Sequence, residues 1–187
     1  MCITGTAGAG KSTVGRVLKR RGYSVYELGD IVRQLMHEAG VRITPESNRA
    51  FSERLRRRYG DVVTPRLLLG RISVRRNENM AIVGIRSRKE LDYIKKRLGS
   101  RERIVTVAVV APAKTRYERT RKRNRPDAPK SLAAFVRDTD RKEERWGVRG
   151  AIASADYIIS GAGSLGELKR DAGMLFSAIE SGKEKAF

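Results

Sequence analysis

Eight residues near the start of the chain have the types and spacing of a phosphate-binding loop. The segment GTAGAGKS, residues 5–12, matches the pattern G-x-x-x-x-G-K-[ST]; a short apolar run precedes it and an amphipathic stretch follows. Glycines and small residues let main-chain N–H groups wrap around a phosphate, and the start of a following helix favours negative charge. The segment, called the P-loop below, therefore predicts nucleotide binding.

Single residues of the P-loop have separate predicted roles. Lys11 is predicted to reach the β- and γ-phosphates as a catalytic group, and the Ser12 hydroxyl is predicted to bind Mg²⁺. ATP and Mg²⁺ are thus the expected cofactors, although the residues do not distinguish ATP from GTP. The predicted ATP-binding set is Gly5, Thr6, Ala7, Gly8, Ala9, Gly10, Lys11, Ser12, Thr13 and, far along the chain, Arg125.

Strands and helices that alternate along the chain are predicted to position this loop. The apolar run VTVAVVA is typical of a central strand that is buried on both faces of a parallel sheet. The chain of 187 residues therefore predicts one α/β domain. Predicted strands cover 1–4, 24–28, 80–84, 104–110 and 157–160; predicted helices cover 11–21, 30–39, 45–59, 65–76, 88–98, 112–122, 131–145 and 164–179.

Charge and composition limit the classes of function. The chain has 41 Lys and Arg against 21 Asp and Glu, a net charge of +20, which fits a nucleic-acid partner, a phosphate-rich substrate or a generally charged surface. One cysteine and one histidine exclude an internal disulfide, a cysteine zinc cluster and a serine–histidine–aspartate triad. No apolar run approaches the roughly 18 residues of a membrane span. A cytoplasmic protein without a membrane partner is expected.

Several later segments, taken together with the P-loop, resemble the nucleoside-monophosphate kinase group of P-loop proteins. The ordered set is most similar to an archaeal adenylate-kinase-related, dephospho-CoA-kinase-like family. The resemblance covers almost the whole chain and implies a three-layer α/β/α fold whose five-stranded parallel sheet has the order 2-3-1-4-5. It also implies an acceptor-binding helical region at about 29–78 and an arginine-rich lid at about 121–131. The segments are ITGTAGAGKS, ELGDIVRQL, TPES, VGIRSRKEL, RYERTRKRNRPD and ADYIISGAGSLGEL.

Residues that follow the second and third predicted strands are candidates for the acceptor side. Asp30 is predicted as a base toward an acceptor hydroxyl or as a holder of a magnesium-bound water, with a plain helix cap as the alternative. Arg33 and Arg86 are predicted to pair with an acceptor phosphate, with solvated surface charges as the alternative. Most of the arginines in the basic segment 54–58 are predicted to be exposed to solvent.

Arginines near the lid are candidates for stabilising the transferred phosphoryl group. Arg116, Arg119 and Arg123 are spaced three and four residues apart, which puts them on one helix face. The resemblance assigns Arg119 and Arg123 to the paired lid arginines as catalytic residues, and Arg125 lies in the lid itself. A merely basic, solvated helix is the alternative. The resemblance also implies that the loop after the last strand, SGAGS, borders the adenine ring.

One position departs from the pattern of the resembling family. Related proteins usually carry an aspartate before the glycine of the third strand, where it helps to hold the metal, whereas this chain has Val83. Either Ser12 and the phosphates hold Mg²⁺ with help from Asp30, or the protein binds nucleotide with weak turnover.

Three functions follow, in order of preference. The first is a phosphotransferase that moves the γ-phosphate of Mg·ATP to a nucleotide-like acceptor, such as a nucleoside monophosphate or dephospho-CoA. The second is a kinase or NTPase associated with nucleic acid, which the net charge motivates. The third is a nucleotide-binding regulator with weak catalysis, which Val83 motivates.

Overall fold

The structure, a computed structural model, describes residues 1–72, 79–99, 103–122 and 131–182. Five strands and nine helices lie in these ranges. The strands are β1 Cys2–Gly5, β2 Ser24–Glu27, β3 Met80–Ile85, β4 Thr106–Val110 and β5 Tyr157–Ser160. The helices are α1 Lys11–Arg20, α2 Leu28–Glu38, α3 Pro45–Tyr59, α4 Val63–Arg71, α5 Arg88–Leu98, α6 Ala113–Lys122, α7 Leu132–Trp146, α8 Val148–Ala153 and α9 Leu165–Glu180.

The strands form one parallel sheet in the order β2-β3-β1-β4-β5, which confirms the predicted order. The central strand β1 pairs with β3 on one side and β4 on the other, with Ile3 opposite both Val83 and Val107. Because all five strands are parallel, their carboxyl ends meet at one edge, where ligands of such sheets bind. The P-loop leaves β1 at this edge.

Two apolar layers cover the sheet. On one face, Val14 and Leu18 of α1 and Phe176 of α9 pack against the strands and are completely buried. On the other face, the buried side chains come from α2, α4 and α5, among them Leu68 and Ile94. The sheet is therefore buried on both sides, as its continuous apolar strands predict.

Local signals account for the helix boundaries that were predicted correctly. Thr44 caps α3 in a capping box with Ser47, and Ser164 caps α9 in the same way. Ser87 accepts a hydrogen bond from the N–H of Glu90 at the start of α5. In the described part of the chain, no helix combines the length and the apolar composition needed to span a bilayer.

Other boundaries differ from the prediction. Strand β2 is one residue shorter than predicted because α2 already begins at Leu28, and α4 begins at Val63 rather than at residue 65. The short helix α8 was not predicted, since it follows α7 after the single residue Gly147, whose left-handed conformation ends one helix and begins the next. The end of the predicted helix 65–76 and most of the predicted lid lie outside the described residues.

Candidate active site

The backbone of the P-loop requires glycine for reasons of conformation and of space. Gly5 and Gly10 have φ values of 132° and 117°. A Cβ atom on Gly5 would lie 2.1 Å from the main-chain oxygen of Val109 on β4, and one on Gly10 would lie 2.4 Å from Cδ2 of Leu168 on α9. Space excludes a side chain at Gly5, where the neighbour is main chain, whereas at Gly10 the positive φ is the stronger constraint because the tip of Leu168 can move.

Lys11 lies at the first position of α1 and folds back along the P-loop. Its Nζ atom donates hydrogen bonds to the main-chain oxygens of Gly5 at 2.8 Å and Thr6 at 2.7 Å. The Thr6 hydroxyl is buried and has no hydrogen-bond partner among the described residues. The first amides of α1 have no acceptor within the helix. A cation, a hydroxyl and helix amides therefore converge where the motif predicts phosphates.

Arg119 of α6 fastens the P-loop to the loop between β5 and α9. Its guanidinium donates to the main-chain oxygens of Ala9 at 2.8 Å and Gly163 at 2.6 Å. A Cβ atom on Gly161 would lie 2.5 Å from the oxygen of Ala9, so the two loops are in close contact. Burial lowers the pKa of Arg119. Arg119 thus reaches the P-loop, as the lid arginines were predicted to do, but its donors bind protein carbonyl groups.

Arg116 makes a second connection to the P-loop, one helical turn earlier on α6. This buried arginine donates to the oxygen of Ala111 at 3.1 Å and of Ala7 at 3.5 Å. Its guanidinium also lies 3.6 Å from a carboxylate oxygen of Glu143 on α7. The P-loop is therefore tied to α7 through Arg116. The predicted Arg123 and Arg125 lie outside the described residues.

The predicted acceptor residues of α2 pair with each other. Arg33 donates to Oδ1 of Asp30, with Nε at 3.1 Å, and both side chains are substantially exposed. Asp30 is the third residue of α2 and Glu27 is the cap residue, so the alternative reading of Asp30 as a helix cap is wrong. Burial lowers the pKa of Arg86, and the positive charges of Arg56 and Arg33 add to this effect.

A polar pocket lies at the carboxyl end of β3, next to the P-loop strand. We call it the β3 pocket; α2, α3, α4 and α5 form its other walls. The space between these side chains is small, about 10 Å³, which is room for about one water molecule. Its polar lining residues are Ser52, Arg56, Thr64, Arg86 and Glu90.

Glu90 organises the charges of the β3 pocket. It is 1% exposed, accepts a hydrogen bond from the Arg56 guanidinium at 2.6 Å, and accepts another from the main-chain N–H of Arg86 at 2.7 Å. The guanidinium carbons of Arg56 and Arg86 lie 5.4 Å and 4.7 Å from the ring centroid of Trp146. Burial raises the pKa of Glu90 and lowers the pKa of Arg86, and the opposite charge of each offsets part of the effect on the other.

Sequence reasoning found Arg86 but missed its surroundings. Arg56 belongs to the basic run on α3, whose other members Arg54, Arg57 and Arg58 are exposed as predicted. Glu90 stands three residues after Ser87, where a carboxylate usually reads as a helix-capping residue. A single tryptophan is usually interpreted as a packing residue. No pattern in the neighbouring sequence predicts that Trp146 lies beside the arginines of this pocket.

Val83 is 1% exposed and packs in the core, so it supplies no ligand for a metal. The carboxylate closest in strand register is Glu27, which lies opposite Val83 on β2. A Cβ atom on Gly15 of α1 would lie 3.2 Å from Val83 and 3.4 Å from Val25, so both valines face α1. Because side chains alternate along a strand, Glu27 also faces α1, closer to the helix start that carries Ser12.

Ser12 at the start of α1 and Glu27 on the α1 side of the sheet offer the oxygen ligands that a magnesium ion on P-loop phosphates prefers. Within the described residues, neither Ser12 nor Glu27 has a hydrogen bond or an ion pair, so both side chains are available. Those residues contain no group of three His, Cys, Asp or Glu side chains that would hold a metal by itself. Mg²⁺ prefers oxygen ligands and keeps waters and substrate phosphates in its shell, so one hydroxyl and one carboxylate suffice.

Relatives match the chain over nearly its whole length. A UPF0200 protein of Pyrococcus abyssi is 33% identical over 179 residues, which cover 95% of this chain and 95% of that protein. A UPF0200 protein of Staphylothermus marinus is 38% identical over 170 residues, which cover 91% of this chain and 87% of that protein. These relatives are archaeal, as the resemblance of the motifs implied.

Solved structures with a similar fold include two shikimate kinases and a gluconokinase. The shikimate kinase of Bacteroides thetaiotaomicron has a TM-score of 0.64 at 16% identity, over 96% of this chain and 97% of that chain. The shikimate kinase of Acinetobacter baumannii, solved with shikimate, has a TM-score of 0.61 at 21% identity, over 97% and 93%. The gluconokinase of Sinorhizobium meliloti has a TM-score of 0.53 at 16% identity, over 98% and 95%. At these identities the likeness shows the fold alone.

The family model that matches the chain is AAA_18, an AAA domain, and it covers residues 1–147. This match contains the P-loop, β3, Arg119 and Trp146. Together with the kinase-like fold and the full-length relatives, it shows that the chain belongs to the UPF0200 family and contains a P-loop AAA-type domain.

Proposed function

We propose that the protein is a phosphotransferase that moves the γ-phosphoryl group of Mg·ATP to a small, nucleotide-like acceptor. The observation that carries the proposal is the placement of two polar sites on adjacent strands. The P-loop leaves β1, the β3 pocket lies at the end of β3, and these strands are hydrogen-bonded neighbours. A nucleotide on the P-loop and an acceptor at the mouth of the β3 pocket would lie side by side at one edge of the sheet.

The proposed reaction is an in-line displacement at phosphorus. An acceptor oxygen forms a bond to the γ-phosphorus, the bond from that phosphorus to the β–γ bridging oxygen breaks, and ADP leaves. Lys11 moves from the carbonyl oxygens of Gly5 and Thr6 to the phosphates, because a phosphate is a stronger acceptor for an ammonium group than a neutral carbonyl. Such transfers depend mainly on positioning and on charge stabilisation.

Residues on the acceptor side have defined parts in this proposal. Asp30 takes the proton where the acceptor is a hydroxyl group; a phosphate acceptor needs no base. Arg33 is held by Asp30 and pairs with an acceptor phosphate by exchanging the Asp30 carboxylate for the phosphate, which is also an oxyanion. Arg86 faces the acceptor from the other wall, where its guanidinium is already held beside Trp146.

Ser12 and Glu27 are the residues that would hold Mg²⁺ in this proposal. The ion supplies neutralisation of phosphate charge. Glu27 takes the part that an aspartate at position 83 has in the resembling family, because it faces the same side of the sheet from the neighbouring strand. Val83 therefore does not by itself indicate weak turnover.

An acceptor panel tests the proposal. We would incubate the protein with Mg·ATP alone and then with AMP, CMP, dephospho-CoA, shikimate or gluconate, and follow ADP and phosphorylated acceptor together. One acceptor should raise ADP formation, with an equal amount of product. Lys11→Ala should abolish the reaction, whereas Lys19→Ala, an exposed lysine of the same helix, should not. Equal ADP formation in every tube would contradict the proposal.

A nucleic-acid acceptor is the second candidate, and the exposed arginines of α3 favour it. Arg54, Arg57 and Arg58 are all exposed. The net charge of the chain, +20, is also larger than the number of cationic side chains that the proposed site needs. Binding of an RNA or DNA oligonucleotide over a salt series tests this, because counterion release makes such binding fall steeply with salt. The absence of binding at low salt would remove the candidate.

A further inference from the structure

A buried carboxylate on α7 lies beside two arginines at distances longer than a hydrogen bond. Glu143 is 9% exposed, and its Oε1 atom forms no hydrogen bond with the residues that the structure describes. The guanidinium of Arg116 lies 3.6 Å from Oε1, and Nε of Arg149 lies 3.9 Å from Oε2. A movement of about 1 Å would bring Arg116 to the roughly 2.8 Å of a charge-assisted hydrogen bond, which helps a buried carboxylate to offset its lost hydration.

Arg116 connects this carboxylate to the tip of the P-loop. Its guanidinium donates to the main-chain oxygens of Ala111 at 3.1 Å and of Ala7 at 3.5 Å. The P-loop also packs against the main chain at this point, because a Cβ atom on Gly8 would lie 2.7 Å from the Arg116 oxygen. The guanidinium lies 3.5 Å from its acceptor on the P-loop and 3.6 Å from its acceptor on α7, so neither of the two holds it firmly.

A nucleotide is expected to change the part of the P-loop that Arg116 contacts. Lys11 donates to the main-chain oxygens of Gly5 and Thr6, and Thr6 directly precedes Ala7. Phosphates are stronger acceptors for an ammonium group than these neutral carbonyls, so Lys11 leaves them when a nucleotide binds. The main chain before Ala7 then loses a hydrogen bond that fixes it, and the long contact from Arg116 to the Ala7 oxygen changes with it.

The last turn of α7 also contacts the acceptor side. Trp146 lies three residues after the buried carboxylate, on the same side of the helix. The guanidinium carbons of Arg56 and Arg86 lie 5.4 Å and 4.7 Å from the centroid of its ring. Between these two positions, Arg145 forms an ion pair with Glu53 of α3. One turn of α7 therefore contacts both sides of the site, and its residues move together because the helix holds them in fixed relation.

We propose that α7 couples the P-loop to the β3 pocket, with Glu143 as a positioning residue that acts through Arg116. In one arrangement the two side chains lie 3.6 Å apart, as observed; in the other they form a charge-assisted hydrogen bond, and the last turn of α7 shifts against the β3 pocket. A nucleotide favours the second arrangement, because it frees Arg116 from the Ala7 oxygen. Binding on either side then biases the same equilibrium. The proposal rests on the proposed function only in assigning the β3 pocket to the acceptor, and the coupling requires no phosphoryl transfer.

The fluorescence of Trp146 tests the coupling, since it is the only tryptophan in the chain and lies on the acceptor side. We would measure Mg·ADP binding by calorimetry and, in parallel, titrate the protein with Mg·ADP and follow the tryptophan emission. ADP is the probe because its binding requires no turnover. In the wild type the emission should change, with the same dissociation constant as in calorimetry. Lys11→Ala should abolish both the heat of binding and the emission change, because the P-loop then lacks its cation.

Three variants separate coupling from binding and from stability. Glu143→Gln keeps the size of the side chain but removes its charge; it should bind Mg·ADP within about tenfold of the wild type and lose most of the emission change. Arg116→Lys keeps the charge but lacks the fork that reaches Ala7 and Glu143 together, so it should behave in the same way. Glu144→Gln, at the exposed neighbouring position, should retain the full emission change. A merely structural Glu143 would lower the melting temperature on substitution but leave the emission change per bound nucleotide intact.

The outcomes are distinct for the coupling and for the kinase. An emission change that Glu143→Gln and Arg116→Lys reduce supports the coupling even if no acceptor is phosphorylated, in which case only the proposed function fails. Mg·ADP binding without an emission change in the wild type would overturn the coupling. An emission change of wild-type size in Glu143→Gln would also overturn it, because the nucleotide would then affect Trp146 without this residue. Phosphoryl transfer that persists beside either of the last two results would keep the kinase. Should Glu143→Gln fail to fold, the emission change of Arg116→Lys decides by the same criteria.

Discussion

The two sides of the site satisfy their cationic side chains in opposite ways. On the P-loop side, Lys11, Arg116 and Arg119 donate to main-chain carbonyl oxygens of the loop. In the β3 pocket, Arg56 binds a buried carboxylate, and Arg86 lies beside an aromatic ring without a hydrogen bond from its side chain to the described residues. The partners of the cations are main-chain oxygens on the P-loop side, and a carboxylate and an aromatic ring in the β3 pocket.

This difference implies different sensitivities. The P-loop depends on backbone conformation, so added volume at its glycines should damage it more than the loss of any one side-chain contact. The β3 pocket depends on a balance of charges, so the loss of one carboxylate should damage it most. The following substitutions test these expectations in order of decreasing effect.

Gly5→Ala should have the largest effect on stability. The added Cβ would lie 2.1 Å from the Val109 oxygen, and the φ of 132° disfavours any side chain. We expect a loss of at least about 4 kcal/mol in the free energy of unfolding, measured by urea denaturation. Gly70→Ala on α4, which has open space around it, is the control and should be neutral or stabilising by up to about 1 kcal/mol. Similar losses in both variants would contradict the close packing of the P-loop.

Glu90→Gln should destabilise the protein by about 3 kcal/mol. Removing this carboxylate leaves the guanidinium groups of Arg56 and Arg86 in a largely buried pocket without a counter-charge. Asp92→Asn, on the exposed side of the same helix, should cost less than about 0.5 kcal/mol, because its pair with Arg88 is exposed to solvent. Equal effects of the two substitutions would show that the pocket does not depend on Glu90.

Arg119→Met should weaken Mg·ATP binding by about tenfold to a hundredfold, as measured by calorimetry. The substitution removes two charge-assisted hydrogen bonds, to Ala9 and Gly163, that hold the two loops at the nucleotide side together. Arg121→Met removes a charge from an exposed position of the same helix and should leave affinity nearly unchanged. If both variants bind alike, the contribution of Arg119 is general charge rather than positioning.

Glu27→Gln should have the smallest effect of the four, an increase of about tenfold in the Mg²⁺ concentration that half-saturates nucleotide binding. This follows from its position opposite Val83 on the α1 side of the sheet, the position that the missing aspartate would share. Glu38→Gln, on the exposed end of α2, is the matched control. An unchanged Mg²⁺ requirement would exclude Glu27 from the metal site.

The contrast between the P-loop, which one short segment forms, and the β3 pocket, which several helices form, also explains which parts of the site the sequence predicts. The P-loop and the caps at Thr44, Ser87 and Ser164 depend on residues within a few positions of one another, so local patterns identify them. Sheet order was inferred from resemblance, and the parallel strands then place the P-loop and β3 side by side. The exposed pair of Asp30 and Arg33 is also local, since their spacing of three suits a helical ion pair.

The β3 pocket depends on residues that are far apart in the chain. Arg56, Glu90 and Trp146 come from α3, α5 and α7, and they meet only after the helices pack. Four arginines lie within residues 54–58, and no local pattern shows that Arg56 is the one that faces inward. Long-range packing, rather than propensity, decides this part of the site.

The most direct test of the account follows the γ-phosphoryl group itself. We would incubate the protein with ATP labelled with ¹⁸O in the γ-phosphoryl group, Mg²⁺ and a protein-free extract of small cellular metabolites, and locate the label by mass spectrometry. The account predicts that the label enters one anionic metabolite, that Lys11→Ala abolishes this transfer, and that Arg86→Met reduces it. Label that appears only in inorganic phosphate, at the same rate with and without the extract, would contradict the account.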